Sequence, residues 1–505
     1  MKIFTAEKTR ELDKLTIELQ RITSTELMER AALQAFLWLV NHFQDKKTVY
    51  HIFCGVGNNG GDGLVIARLL KQNYFDVHVY VVPFSENYST DFSVNLERLK
   101  EYNVTYEFIR EGSAFPDIAE SHILVDAVFG IGLTREMDHW LQVLIQKINY
   151  HAAFKVAIDV PSGLFLHQKT TVAIQSDVVL TFQLPKLAFY LPDNEIFIKE
   201  IVLLPIDLDE KVMKTMLTHQ YYIDWNEIKK RYKPISRFSH KGTQGHVLLV
   251  GGCYGKIGAM VLASQAALRS GCGLATVFVP KCGYEILQTT TPEAMVITDE
   301  NFDKITNVSF DLMPKSIGIG MGMGQSEDTA TAFYQFLKTN SVPLVVDADG
   351  LNILSEHQDW LSLLPKNSIL TPHPKELERL IGPWKDDFEK IEKTIQLAQK
   401  YQAVVLIKGA FTLLIDGKNV YVNSSGNQAL ATGGSGDVLS GIIASFRAQG
   451  YSAVDSALLG VYFHGKTADL AMKDMGYEGF IASDIINYLG KVFLELKVLL
   501  NRREH

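Results

Sequence analysis

Strand-like runs alternate with helical patterns along almost the whole chain, and this alternation leaves few folds open. Strands separated by helices do not pair as hairpins. They lie parallel, with helices covering the sheet faces. In the first half, Thr48–Phe53, Val77–Val82, Ile123–Val125, Lys155–Ile158 and Val178–Thr181 read as strands. Ala6–Leu19, Thr25–His42 and Leu64–Lys71 carry helical periodicity. From Asp207 to Ser239 the pattern loosens into charged and aromatic residues, and a linker is expected there. A fresh strand, His246–Val250, opens a second unit, followed by Pro314–Ile317, Leu344–Val346, Ile369–Leu370 and Ala403–Ile407. With 505 residues, 47% of them hydrophobic, the chain can fill two or three domain cores.

Composition excludes several classes of function. Charged residues make up 21% of the chain, so disorder is not expected. The net charge is −8 without a long basic run, which disfavours nucleic acid and anionic membranes as partners. Cys54, Cys253, Cys272 and Cys282 form no C-x-x-C pair and fit a reducing cytoplasm. Met1–Asp13 is charged and lacks a signal-peptide core, and no stretch is apolar enough to read as a membrane span. A homo-oligomer is expected.

The most telling words stand where strands end. Residues 430–441 read Leu-Ala-Thr-Gly-Gly-Ser-Gly-Asp-Val-Leu-Ser-Gly, with an apolar helical run from Val438 to Phe446. Gly433, Gly434 and Gly436 let backbone amides approach a ligand closely, and a helix starting there aims its free N–H groups at an anion. A carboxylate beside bound phosphate needs a purpose, and deprotonating an attacking hydroxyl supplies one for Asp437. Gly-Asp alone reads first as a turn with Asp437 capping the helix, and the further motifs reverse that order.

Upstream, Thr48–Phe53 runs into Cys54-Gly55-Val56-Gly57-Asn58-Asn59-Gly60-Gly61-Asp62-Gly63. The glycines match G-x-G-x-x-G, but Val77–Val82 ends in Pro83 without the ribose-binding acid of an ordinary dinucleotide fold. Two amides and a carboxylate in that loop suit ribose, phosphate or a monovalent cation; the plainer reading is a tight turn. Asp126 leads into Phe129-Gly130-Ile131-Gly132-Leu133-Thr134-Arg135-Glu136, and Asp159 into Pro161-Ser162-Gly163. In a parallel sheet all strand C-termini share one edge, so Asn59, Asp126, Asp159 and Ser162 should converge.

The words Asn-Asn-Gly-Gly-Asp-Gly, Asp-Ala-Val-Phe-Gly-Ile-Gly and Asp-Val-Pro-Ser-Gly closely resemble the NAD(P)H-hydrate epimerase family, over a domain of residues 1–215. The resemblance implies a Rossmann-like domain that interconverts the R and S epimers of NADH or NADPH hydrated at nicotinamide C6. It implies a potassium ion on Asn59, Asp126 and Ser162. It places the hydrate against residues 58–62 (Asn58, Asn59, Gly60, Gly61, Asp62), residues 130–136 (Gly130 to Glu136) and Asp159. Oxygen ligands fit a hard cation without selecting potassium over sodium. Asp159 is the candidate acid/base.

In the second unit, Tyr254-Gly255-Lys256-Ile257-Gly258-Ala259-Met260 opens a helix, and Gly318-Ile319-Gly320-Met321-Gly322-Met323-Gly324 follows a strand. Leu344–Val346 ends in Asp347-Ala348-Asp349-Gly350, and Ile369-Leu370 in Thr371-Pro372-His373-Pro374-Lys375-Glu376. Ala403–Ile407 ends in Lys408-Gly409-Ala410-Phe411-Thr412, where Lys408 is a point charge suited to phosphate. His373 reads equally as a packed loop residue.

Thr-Pro-His-Pro-x-Glu, Lys-Gly-x-x-Thr and Ala-Thr-Gly-Gly-Ser-Gly-Asp-Val-Leu resemble the ADP-dependent NAD(P)H-hydrate dehydratases, a ribokinase-like α/β family, over a domain of residues 225–505. The whole chain thus resembles the bifunctional hydrate-repair enzymes of bacteria. The resemblance implies that residues 408–412 (Lys408, Gly409, Ala410, Phe411, Thr412) and 433–436 (Gly433, Gly434, Ser435, Gly436) hold ADP. It implies that Ala259, Gly322, His373 and Asp437 touch the hydrate, that Asp437 is the base, and that magnesium accompanies the phosphates. One alternative is a small-molecule kinase of the vitamin-kinase type, sharing fold and motif. Another makes the first unit a binding module without turnover.

Overall fold

The computed structural model describes residues 1–501; residues 502–505 of the expected second domain lie outside it. The chain divides into two compact units, with the boundary between Gln220 and Tyr221.

The first unit is built on strands β1 (Val49–Gly55), β2 (Asp76–Val82), β3 (Tyr106–Phe108), β4 (Ile123–Ala127), β5 (Phe154–Ile158), β6 (Ser176–Phe182) and β7 (Ile198–Leu204). They form one sheet in the order β3-β2-β1-β4-β5-β6-β7, and every neighbouring pair is parallel. The order reverses between β1 and β4, which opens a crevice at their C-terminal ends. Strands covered on both faces need side chains that bury in both directions. Accordingly, Ile52, Val125, Val156 and Leu180 pack in one core and Phe53 and Leu124 in another.

Helix α1 (Ala6–Gln20) starts at Thr5, whose side chain accepts from the Lys8 amide. Helix α2 (Ser24–His42) starts with a reciprocal Thr23/Glu26 capping box. Helix α3 spans Asn58–Gln72, so it begins before the expected Leu64. The Asn-Asn-Gly-Gly-Asp stretch is therefore the first turns of a helix and not a loop, and neither asparagine is left-handed. Packing explains the glycines: a Cβ on Gly60 would lie 1.7 Å from the Gly55 carbonyl oxygen. Helix propensity is overridden here by how closely α3 must approach β1.

The expected linker is also more ordered than its sequence suggests. It contains a helix at Glu210–Thr215, a strand at Gln220–Ile223 and a helix at Trp225–Arg231. The helices are short enough to escape periodicity, but each has a side-chain cap, Asp209 on Lys211 and Val212, and Asp224 on Glu227.

The second unit carries β8 (His246–Val250), β9 (Leu274–Val279), β10 (Met295–Thr298), β11 (Ser316–Ile319), β12 (Leu344–Val346), β13 (Ile369–Leu370), β14 (Val404–Ile407), β15 (Leu413–Ile415) and β16 (Val420–Asn423). They run in the order β16-β15-β14-β13-β12-β11-β8-β9-β10. Pairing is parallel from β14 through to β10 and antiparallel for β14-β15 and β15-β16. Helix α4 (Ser435–Ala448) buries Val438, Leu439, Ile442, Ile443 and Phe446. At about 1.5–3 kcal/mol per fully buried large apolar side chain, that face holds its N-terminus against the strand ends.

Candidate active sites

In the first unit, the ends of β4 and β5 bring the expected polar residues together. Asp126 lies inside β4, one residue before its end, and is 4% exposed. Its Oδ2 accepts from the Ser162 amide at 2.7 Å, and its Oδ1 from the Ser162 hydroxyl at 2.5 Å. Ser162 Oγ in turn accepts from the Phe129 amide at 2.7 Å. Asn59 donates through Nδ2 to the carbonyls of Phe129 and Ile158, both at 3.0 Å. Its Oδ1 is buried and has no hydrogen-bond partner among the described residues. A buried, orphaned amide oxygen is costly unless something electropositive meets it. Burial pushes the Asp126 carboxyl up to about 6.

Asp159 follows β5 in a left-handed conformation, φ 62°. Its Oδ1 pairs with Lys186 Nζ at 2.6 Å and accepts from Thr181 Oγ1 and the Phe182 amide, both at 3.2 Å. Lys186 is 5% exposed. It was not singled out in the sequence, although Gln183-Leu184-Pro185-Lys186 follows a strand that was. Asp159 and Lys186 open onto a cleft of about 530 Å³, within the range of small-molecule sites, and Asp126 and Ser162 lie behind its wall rather than in its lining. Asn58, Asn59, Asp62 and every residue from Gly130 to Glu136 line it, with Asp159 and Lys186. Gly60 and Gly61 do not: they pack into β1 and against Met28. Asp62 is 9% exposed, and burial followed by the charges of Asp159, Asp13 and Asp91 raises its carboxyl well above the usual range.

In the second unit, Gly434 caps α4 in a left-handed conformation, φ 86°. Asp437 is thus inside the first helical turn, which removes the reading of Asp437 as the cap. Burial, then the nearby charges of Asp347 and Asp349, push its carboxyl up to about 7 against the opposing pull of Lys408. Lys408 sits at the end of β14 with Nζ 2.8 Å from Asp347 Oδ1 and 3.9 Å from Glu376 Oε2. Burial disfavours its charge, but Asp347 and Glu376 outweigh burial and raise the amine. Ser440 Oγ donates to Asp347 Oδ2 at 2.8 Å. A Cβ on Gly436 would lie 3.5 Å from Lys408 Nζ and 3.6 Å from Asp347 Oδ2, so the glycine turn and this charge cluster adjoin.

Asp349 accepts from the Gly324 amide at 2.8 Å, from Gln325 Nε2 at 2.7 Å and from Lys256 Nζ at 3.3 Å. Between the two aspartates, Ala348 has φ 47°. A non-glycine residue held there costs about 1–3 kcal/mol and is characteristic of functional turns. Ala259 and Gly322 adjoin, since a Cβ on Gly322 would meet the Ala259 Cβ at 3.1 Å. His373 caps the helix Pro374–Ile381: its Nδ1 accepts from the Lys375 and Glu376 amides, and Glu376 Oε2 accepts from the His373 amide. Its Nε2 lies 3.3 Å from Glu376 Oε1.

Thr412 Oγ1 donates to the Gly409 carbonyl at 3.2 Å, shaping the turn after Lys408. Ser435 meets the buried His464, Oγ to Nε2 at 3.1 Å. Asp347, Glu376, Ser440, Lys256 and His464 were not assigned from the sequence. The Asp-Ala-Asp-Gly strand end was the available signal for Asp347.

With this geometry in hand, likeness to known proteins is decisive. The NAD(P)H-hydrate dehydratase family matches residues 247–491, and the family described as YjeF-related protein N-terminus matches residues 24–188. The bifunctional NAD(P)H-hydrate repair enzyme Nnr of Coxiella burnetii is 33% identical, over 97% of this chain and 98% of its own. Its counterpart in Escherichia coli is 30% identical, over 97% and 93%. The chain belongs to the bifunctional NAD(P)H-hydrate repair enzymes. It is an isomerase and a lyase in one polypeptide, and each unit is an α/β fold built on a largely parallel sheet. Among solved structures, the ADP/ATP-dependent NAD(P)H-hydrate dehydratase of Bacillus subtilis, co-crystallised with ATP and Mg2+, is 26% identical. It covers 55% of this chain and 98% of its own, with a TM-score of 0.48.

Proposed function

We propose that each unit performs one half of the repair: epimerisation of R- and S-hydrates in residues 1–215, and ADP-dependent dehydration of the S-hydrate in residues 225–505. The observation that carries this reading is that there are two strand-end constellations, each with its own half-buried carboxylate, Asp159 and Asp437.

In the second unit, Asp437 removes the proton of the C6 hydroxyl, and the oxygen attacks the β-phosphorus of ADP. The bond from that phosphorus to the bridging oxygen breaks and AMP leaves. The nitrogen lone pair of the ring then expels phosphate from C6, and loss of a C5 proton completes the double bond. Hydrate and ADP become NAD(P)H, AMP, phosphate and a proton. The helix N-terminus at 433–436 offers amides to the phosphates, and ADP enters with magnesium as their counterion. Lys408 and the turn to Thr412 contact the nucleotide; Ala259, Gly322 and His373 contact the hydrate.

In the first unit, Asn58, Asn59, Asp62, residues 130–136 and Asp159 hold the hydrate. Asn59, Asp126 and Ser162 fit a potassium ion, because the orphaned Asn59 Oδ1 lacks an electropositive neighbour. Bound there, the ion would supply positive charge at the strand ends. Gly60 and Gly61 act through the shape of α3, setting Asn59 and Asp62 in place. The four free cysteines suit a reducing cytoplasm, where we place the enzyme. Among the described residues no helix is long and apolar enough to cross a membrane. A homo-oligomer is our expectation, which light scattering would check.

The test is incubation of chemically hydrated NADH with ADP and magnesium, following reduced-nicotinamide absorbance. Full recovery is expected with ADP. Without nucleotide, the epimers should equilibrate and no NADH should return. A stable phosphorylated product with no NADH recovery would overturn the assignment.

A further inference from the structure

Helix α1 precedes residue 24, where the family match begins, and no sequence motif marked it as functional. In the structure it walls the first cleft with Thr9, Arg10, Asp13 and Ile17. Arg10, Asp13 and Ile17 stand at i, i+3 and i+7, one face of a helix. Asp13 is half-buried, and neither a hydrogen bond nor an ion pair reaches its carboxylate among the described residues. Asp62, 9% exposed and lining the same cleft, is also without such a partner. The charged groups that face Asp13 are Asp159 and Lys186 from the strand edge and Asp62 from α3; Arg10 is its neighbour on α1.

We propose that Asp13 is the second acid/base of the epimerase cleft and exchanges protons with the C6 hydroxyl in partnership with Asp159. This rests on the epimerase reading above. Inverting C6 requires its C–O bond to break and to reform on the other ring face. The hydroxyl takes a proton from a carboxylic acid and leaves as water, while the ring-nitrogen lone pair forms the C6=N1 iminium bond. Water then adds to the opposite face and gives its proton to a carboxylate. The R and S hydroxyls lie on opposite faces, so one group serves as acid while the other serves as base, and the roles exchange with direction.

The two carboxyls stand in different environments, one bonded to an ammonium and one not, among the described residues. Asp159 is locked to Lys186 at 2.6 Å. Burial, then the charge of Asp159, push Asp13 up to about 6, where it can carry a proton near neutrality. Once it has given up its proton, Asp13 is a carboxylate with no cation bonded to it among the described residues, and it favours the transient positive ring.

The experiment uses the full-length protein and separated R- and S-hydrates without nucleotide, with epimers resolved by chromatography. Asp13→Asn should lower kcat in both directions by about 10²–10⁴ with KM little changed. The fall of wild-type activity above pH about 6 should flatten in the variant. Asp13→Glu should restore part of the rate, and an unchanged circular dichroism spectrum and first-unit melting transition in both variants would show that the epimerase unit is folded. A kcat within about threefold of wild type with an unchanged pH profile would overturn the proposal, as would a loss confined to KM. If wild-type protein failed to epimerise, the epimerase reading itself would fall, a result distinct from a silent Asp13→Asn.

Discussion

The two strand-end sites balance charge in opposite ways. The first cleft gathers Asp13, Asp62, Asp91 and Asp159 around one buried ammonium, Lys186. The second pairs its acids: Lys408 lies between Asp347 and Glu376, and Lys256 meets Asp349. Among the described residues of that cluster, Asp437 is left without a bonded cation, and its carboxyl is pushed up to about 7. The difference matches the chemistry each must manage. A site that forms a transient cationic ring gains from unpaired carboxylates, while one that admits a polyphosphate must neutralise all acids but its base.

The largest effect should come from removing one base at a time. Asp437→Asn keeps shape and most hydrogen bonding, and dehydration of the S-hydrate should fall by about 10²–10⁴ with epimerisation near normal. Asp159→Asn should do the reverse, leaving the R-hydrate to slow spontaneous epimerisation. Kinetics on separated epimers, with circular dichroism for folding, measure both. Loss of both activities from Asp437→Asn in a folded protein would erase the contrast between the sites.

Packing offers a second, smaller lever. A Cβ at Gly60 would sit 1.7 Å from the Gly55 carbonyl oxygen, so Gly60→Ala must shift α3 from β1. Overpacking of this kind costs about 1–3 kcal/mol. The first unit should melt earlier and lose epimerase activity, while ADP-dependent dehydration persists. Equal loss of both activities would mean that the units do not fold independently.

Potassium should separate the units more gently. Saturating an ion site at about 100 times its dissociation constant stabilises by about 2.7 kcal/mol. Exchange of potassium for lithium should therefore lower the melting transition of the first unit only. Stoichiometric zinc or iron by elemental analysis would contradict an oxygen-only site, as would indifference to the ion.

What the sequence disclosed and what it hid follow one physical rule. Asn59, Asp126, Asp159 and Ser162 were legible because parallel strands deliver their C-termini to one edge, so convergence needs no knowledge of helix positions. The α3 start was not, because Asn-Asn-Gly-Gly-Asp has poor helix propensity and only its packing on β1 makes it helical. Lys186 and Asp13 were hidden for a different reason. Each stands outside a glycine motif, and a charged residue on an amphipathic helix reads as solvent-facing until the fold shows a cleft beside it. Asp437 was legible as a candidate, yet its exclusion as a cap required the φ of Gly434.

The smallest effect is a matter of pH, and it probes the electrostatic contrast directly. Asp437 acts as a base only when ionised, and burial with neighbouring Asp347 holds its carboxyl up to about 7. The pH dependence of kcat/KM reports the free enzyme, so dehydration should climb with pH and level off above about 7. Below that point the ionised fraction drops about tenfold per pH unit. Neutralising the neighbour should shift the curve: Asp347→Asn removes a nearby negative charge, so the rise should move to lower pH. The same change also frees Lys408 from its 2.8 Å partner, which strengthens the pull toward ionised Asp437 and moves the curve the same way. A rise that stayed near 7 in Asp347→Asn would assign the elevation to burial and to Asp349. The second site would then differ from the first in its pairing of charges without using that pairing to set its base.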